Sequence, residues 1–380
     1  MKLFVESSVE PIGPLEYFFL VTSSMVTGAV YVWPQALISA SRSQADWAIA
    51  GSVLMALMMT SLGVIWIQVS PPGILVDRLQ YAWGPLRWPL LTIHALLCLL
   101  LDTAILTLFT QMLATAFYPA TPLWVLKLLI IGQAAWFASR SLATLARNVQ
   151  FWFPIFALTF FILVGISISQ VHQWWALVPG SLKTVGPVGQ GILATWFLWK
   201  QNEVTATLAH FVRPQQGPMI RNLTLGTILF QTVVITMVYL ITVGTLGPQA
   251  VSLLRWPLVY VLSNLSAHTF YLSRPGLIIL LVWTGSMVLY LAGNFFCMGV
   301  NFSRLLTGSY KISTPVIAAC ALVVASSSFF IATPTQSTHL VLDIFDPIDL
   351  SYSFVVISLS IILTRIITAV RRRRTKSHSL

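Results

Sequence analysis

The chain has 380 residues, of which 57% are hydrophobic and only 8% charged, and it carries a formal net charge of +11. Soluble domains carry about 25% charged residues, so a chain this long and this poor in charge has no means of covering a water-facing surface. The composition excludes a soluble globular enzyme and indicates a polytopic membrane protein.

Apolar runs of about 18 residues or more are long enough to cross ~30 Å of hydrocarbon. Ten such spans are predicted, near 15–37, 47–69, 88–117, 122–139, 148–168, 188–210, 222–246, 275–302, 314–333 and 351–370. The first follows a weakly charged leader (Lys2, Glu6, Glu10, Glu16) with no convincing cleavage site, and it reads as a retained span. The fold class expected is an all-α polytopic membrane protein. One transmembrane domain covers 1–370, with a first repeat over about 15–168 and a second over about 188–370, and 371–380 form a basic cytoplasmic tail.

Orientation follows from Lys and Arg. Placing Arg371, Arg372, Arg373, Arg374 and Lys376 in the cytoplasm puts fifteen basic residues on that side, Lys2, Arg78, Arg140, Arg213 and Arg304 among them. Five fall on the other side: Arg42, Lys127, Lys183, Arg255 and Arg274. That positive-inside bias places both termini in the cytoplasm. The tail is a topology determinant with some capacity for anionic lipid, and nothing in it calls for nucleic acid.

The first span contains VTSSMVTGAVYVWP (21–34), where Thr22, Ser23, Ser24 and Thr27 precede Gly28, and Ala29 and Pro34 follow. Such a segment suits close helix packing, or an unwound stretch that a ligand approaches at Thr27, Gly28 and Ala29. In the third span His94, Cys98 and Asp102 recur every four residues and share one face. His94 and the three cysteines (Cys98, Cys297, Cys320) read as apolar packing residues, and their spacing along the sequence suggests no metal site.

The sixth span holds WFLWKQNEV (196–204), with Lys200 and Glu203 three apart, Trp199 beside them, and three polar side chains in a row. A central charge costs roughly 2.5–3.5 kcal/mol on insertion scales. Two readings are open here: an ion pair that neutralises itself within one helix, or an interrupted helix whose freed backbone lines a cavity. Breaks in spans 1 and 6 of ten each open a five-span half, which points to an inverted-repeat transporter fold with its site at mid-membrane. Half-helix ends there suit a zwitterionic amino acid. The eighth span adds Thr284, Ser286 and Met287.

Two connecting segments are long. Residues 247–274 are expected to place a short helix on the outer face, and 334–350, with Asp343, Asp346 and Asp349, to form an acidic external loop facing solvent. The sequence contains no nucleophile elbow, no phosphate loop and no motif calling for a cofactor.

An ordered series of motifs resembles the spore germination permeases, the B subunits of nutrient germinant receptors of endospore-forming bacteria, within the amino acid–polyamine–organocation superfamily. The series comprises Gly28 with Pro34, ADW (45–47), PPGILVDRLQYAWGP (71–85), YPATPLWV (118–125), Arg147 with Pro154, LVPG (177–180), Glu203, RWP (255–257), and Arg274 before the Trp283 span. FASRS (137–141) and Pro275–Gly276 depart from the family pattern, and Lys200 is not among its hallmarks.

The resemblance implies a leucine-transporter-like 5+5 inverted repeat with discontinuous helices 1 and 6. It also implies an amino-acid-like ligand among spans 1, 3, 6 and 8. The residues expected there are Thr27, Gly28, Ala29, Cys98, Asp102, Trp199, Lys200, Glu203, Thr284 and Met287. It further implies a complex with A-type and lipoprotein C-type subunits in the spore inner membrane, acting as a nutrient sensor. A proton-coupled amino-acid transporter is the alternative, although the fifth span lacks the Lys that proton-coupled relatives use. An ion-conducting or purely structural subunit ranks last, because no continuous polar pore is visible.

Overall fold

A computed structural model describes residues 9–26, 33–182, 184–213, 217–264, 276–331 and 333–377. Span 1 comprises α1 (Pro14–Val26) and α2 (Trp33–Ser41); Thr27, Gly28 and Ala29, expected between them, lie outside the described residues. Span 2 is α3 (Ala45–Val69), and α4 (Leu75–Trp83) occupies the PPGILVDRLQYAWGP segment. Spans 3, 4 and 5 are α5 (Arg87–Ala116), α6 (Leu123–Ala138) and α7 (Leu142–Ile168).

Span 6 is interrupted. It consists of α8 (Val185–Leu193), a 3-10 turn over Trp196–Trp199, and α9 (Asn202–Leu208), with Lys200 and Gln201 outside helical geometry. Span 7 is α10 (Gly217–Leu253), which turns at Gly247 (φ 77°), a conformation costly for residues with a Cβ, just ahead of Pro248. After α11 (Pro257–Ser263) come span 8, α12 (Gly276–Thr307), and span 9, α13 (Thr314–Phe330). The short helix expected on the 247–274 segment corresponds to α11, but Gly247–Leu253 extend span 7 instead.

The last span departs from expectation. Residues 334–350 do not form a solvated loop: α14 (Pro334–His339), one π-helical turn (Leu340–Phe345) and α15 (Asp346–Ser377) run on as one rod. Pro347 lies just past the π turn, inside this continuous rod, where its ring and missing N–H disturb the regular i→i−4 ladder and the wider turn accommodates it. The three-residue spacing of Asp346 and Asp349 puts both on one face of that helix, and the face turns inward: Asp346 is 0% and Asp349 1% exposed, whereas Asp343 is largely exposed.

The packing pairs exchange under a shift of five spans. α1 packs on α10 as α8 packs on α3, and α5 on α13 as α12 on α6. α10 meets α7 as α3 meets α15, and α12 meets α7 as α5 meets the π turn. This is the contact pattern of two five-span halves. Close approach at the centre relies on small residues. A Cβ on Gly191 of α8 would lie 2.6 Å from Ala48 of α3, and one on Gly285 of α12 only 2.8 Å from the Phe156 Cε2 of α7.

Candidate functional site

The interruption of span 6 leaves backbone groups that a membrane interior cannot hydrate, so they need protein partners. Gln231 of α10 supplies two: its Nε2 donates to the Leu198 carbonyl at 3.2 Å and to the Met25 carbonyl, at the end of α1, at 3.4 Å. One buried amide therefore ties the exposed ends of spans 1 and 6 together. Gln201 is braced on either side, donating to Thr60 of α3 and accepting from Thr227 of α10.

Lys200 lies at the break, and its nearest carboxylate is not the one sequence proximity suggests. Its Nζ is 2.9 Å from Asp349 Oδ1 of α15 and 3.9 Å from Glu203 Oε1. The second Asp349 oxygen accepts from the Trp196 indole at 2.9 Å, and the ammonium lies over the Phe345 ring, 4.6 Å from its centroid. Asp346, one turn earlier, faces the Phe197 amide. The self-neutralising Lys200–Glu203 pair gives way to a bridge from the broken helix to the last span, and the helix interruption is the reading the geometry adopts.

Glu203 is thereby released toward span 3. Its Oε1 is 3.3 Å from His94 Nδ1, and the other ring nitrogen of His94 is 3.3 Å from Cys98 Sγ. One turn on, Asp102 is fully buried and accepts from Asn294 Nδ2 of α12 at 2.7 Å. Among the described residues its Oδ2 makes no hydrogen bond of good geometry, and the buried Tyr290 hydroxyl is the polar group that faces the carboxylate. An orphaned carboxylate oxygen in hydrocarbon is costly, and it marks where a donor belongs.

Three small cavities meet at Glu203. The one of about 10 Å³ is lined by Ser24, Asp102, Lys200, Tyr290 and Asn294, with Cys98 between. A second, of about 20 Å³, includes His94, Cys98, Cys297 and Asn301, and a third, of about 30 Å³, opens past His94 and Asn202 toward Tyr352. A water needs about 10–15 Å³ measured this way, so each admits one or two waters and none admits an amino acid.

Of the residues expected at the site, Cys98, Asp102, Lys200 and Glu203 share one cavity wall. Trp199 and Met287 are buried and Thr284 half-buried, and none of them lines these three cavities. Sequence reasoning missed Tyr290, Asn294 and Asp349. The first two were legible as polar groups one helical turn apart on an apolar span, whereas Asp349 was obscured by its assignment to a loop.

Among known families, the one described as spore germination protein matches residues 11–336. No curated protein matches the sequence. Among solved structures, MhsT in complex with L-phenylalanine, of the leucine-transporter fold, superposes with a TM-score of 0.68 over 95% of this chain and 97% of its own, at 11% identity. That likeness establishes the fold, a leucine-transporter-type bundle in an integral membrane protein.

Proposed function

The chain belongs to the spore germination protein family, and on that premise we propose that it binds an amino-acid-like nutrient at the break of span 6 and signals its occupancy to partner subunits. The single observation carrying this reading is Asp102: a buried carboxylate with one oxygen that no described residue bonds in good geometry, in a cavity shared with Lys200, Glu203 and Tyr290. It suits the ammonium group of a zwitterion. Lys200 has three donors, one of them engaged by Asp349, and offers the others toward a carboxylate.

Because the cavities are of water size, ligand binding requires α5, α12 and the broken helix to separate. Occupancy then shifts a conformational equilibrium, which is what a sensor needs. The partners in this reading are A-type and lipoprotein C-type subunits in the spore inner membrane, with both termini cytoplasmic. Purified protein in detergent is expected to gain thermal stability with at least one small amino acid. The absence of a shift across the common amino acids would sink the reading.

A second reading, a proton-coupled amino-acid transporter, is favoured by the Glu203–His94–Cys98 chain of exchangeable protons leading from the cavity. Uptake into proteoliposomes separates the two. Accumulation that follows an imposed pH gradient identifies a transporter; binding without accumulation identifies a sensor.

A further inference from the structure

The three side chains bridged by the His94 ring have a property that the amino-acid reading does not use. A His94 nitrogen, Cys98 Sγ and a Glu203 carboxylate oxygen all lie within 4.8 Å of one another. Imidazole, thiolate and carboxylate are the donors that zinc takes, at about 2.0–2.3 Å. Tetrahedral donors around such an ion are separated by roughly 3.3–3.6 Å, from those bond lengths; the present 3.3 Å contacts use the two different nitrogens of His94, so a small turn of the ring must bring one nitrogen to face both partners within the 4.8 Å cluster. The helices fix this arrangement: His94 and Cys98 are one turn apart on α5, and Glu203 enters from the first turn of α9.

Two further observations point the same way. The cavity of about 20 Å³ bounded by these three residues is also lined by Cys297, a second sulfur donor on the facing α12. Charge also closes: Lys200 is held more closely by Asp349, at 2.9 Å, than by Glu203, at 3.9 Å. A divalent ion with one thiolate and one carboxylate is then locally neutral beside an already neutral pair, the only affordable arrangement for a charge at this depth.

We propose that His94, Cys98 and Glu203 form a binding site for a zinc-type divalent transition metal, with the fourth position open to Cys297 or a small ligand. The site joins span 3 to the second half of span 6, so the ion would fix the packing of α5 against α9. Sequence spacing alone is silent here because the third ligand comes from a helix over a hundred residues away.

Cobalt(II) reports on this directly, since a cobalt–thiolate bond gives a charge-transfer absorption that carboxylate and imidazole do not. Metal-stripped full-length protein titrated with Co²⁺ is expected to develop this band saturably at one ion per chain, and to lose it on adding Zn²⁺. The band should persist in the Cys297→Ala/Cys320→Ala double variant, whose one remaining thiol is Cys98, and vanish when Cys98→Ala is added to that variant. A wild-type protein with no saturable band overturns the proposal and leaves the three residues as a hydrogen-bonded chain. A double variant without the band, while its apo-form melts like wild type, overturns the assignment to Cys98. Amino-acid thermal shifts on the metal-stripped protein are measured separately, so failure of either reading leaves the other standing.

Discussion

Two clusters in this protein are built from the same parts, a carboxylate, a cation and an aromatic ring, yet they sit in different solvents. At mid-membrane, Lys200 and Asp349 are 2.9 Å apart with Trp196 and Phe345 around them, at 8% and 1% side-chain exposure. At the end of span 8, Arg304 and Asp77 are 2.8 Å apart at 26% and 17%, with the Tyr310 hydroxyl donating to Asp77 and its ring beneath Arg304. There, burial and the neighbouring Asp77 carboxylate hold the Tyr310 phenol above its ordinary range. The distances are nearly equal, but the consequences of breaking the pairs are not. Water compensates a lost partner at the half-exposed end, and nothing compensates one at the centre.

The largest expected effect follows from that. Asp349→Ala leaves the buried Lys200 ammonium with only Glu203, 3.9 Å away, and should cost about 3–5 kcal/mol, the usual penalty for breaking a buried pair. The double variant Lys200→Met/Asp349→Leu, apolar at both positions, should melt closer to wild type than either single change. A double variant as unstable as the sum of its singles would show that the pair is not coupled.

Next in size is Gln231→Leu. It removes the shared donor to Leu198 and Met25 and leaves two buried carbonyls unsatisfied, at about 1–3 kcal/mol each. Thermal unfolding in one detergent ranks it against Asp349→Ala. An unchanged melting temperature would mean that the breaks find other partners.

The smallest effect belongs to the Arg304–Asp77 pair. Arg304→Gln should change stability by no more than about 1 kcal/mol, and less at high salt, because a part-exposed pair is weak and screened. A loss as large as that of Asp349→Ala would erase the distinction between the two clusters.

Particular residues also show where the sequence was legible. A charged pair within KQNE, in the sixth of ten apolar runs, identified the break in span 6, because a polar run in hydrocarbon has few other uses. Asp102 was legible for the same reason. The partner of Lys200 was not, since Asp349 lies 149 residues away and chain order says nothing about which helices meet. Pro334, Pro347 and three aspartates over 334–350 resemble an external loop by composition alone. One π-helical turn carries the helix through them, and the inward face of α15 exists only once α3, α4 and the Trp196–Trp199 turn are in place to receive it. Turns of this kind occur mostly at functional positions, and this one delivers Asp349 to the broken helix.

The central claim, that the orphaned Asp102 oxygen receives the ammonium group of a nutrient, is tested most directly by Asp102→Asn. The substitution keeps the shape and replaces a charged acceptor by a neutral amide. Ligand-dependent thermal shift is measured for wild type and variant with whichever amino acid stabilises the wild type. The account predicts a variant that melts within about 1 kcal/mol of wild type without ligand, since truncating no packing leaves only a modest polar change, and that gains nothing on adding the amino acid. An undiminished ligand shift in Asp102→Asn would contradict it.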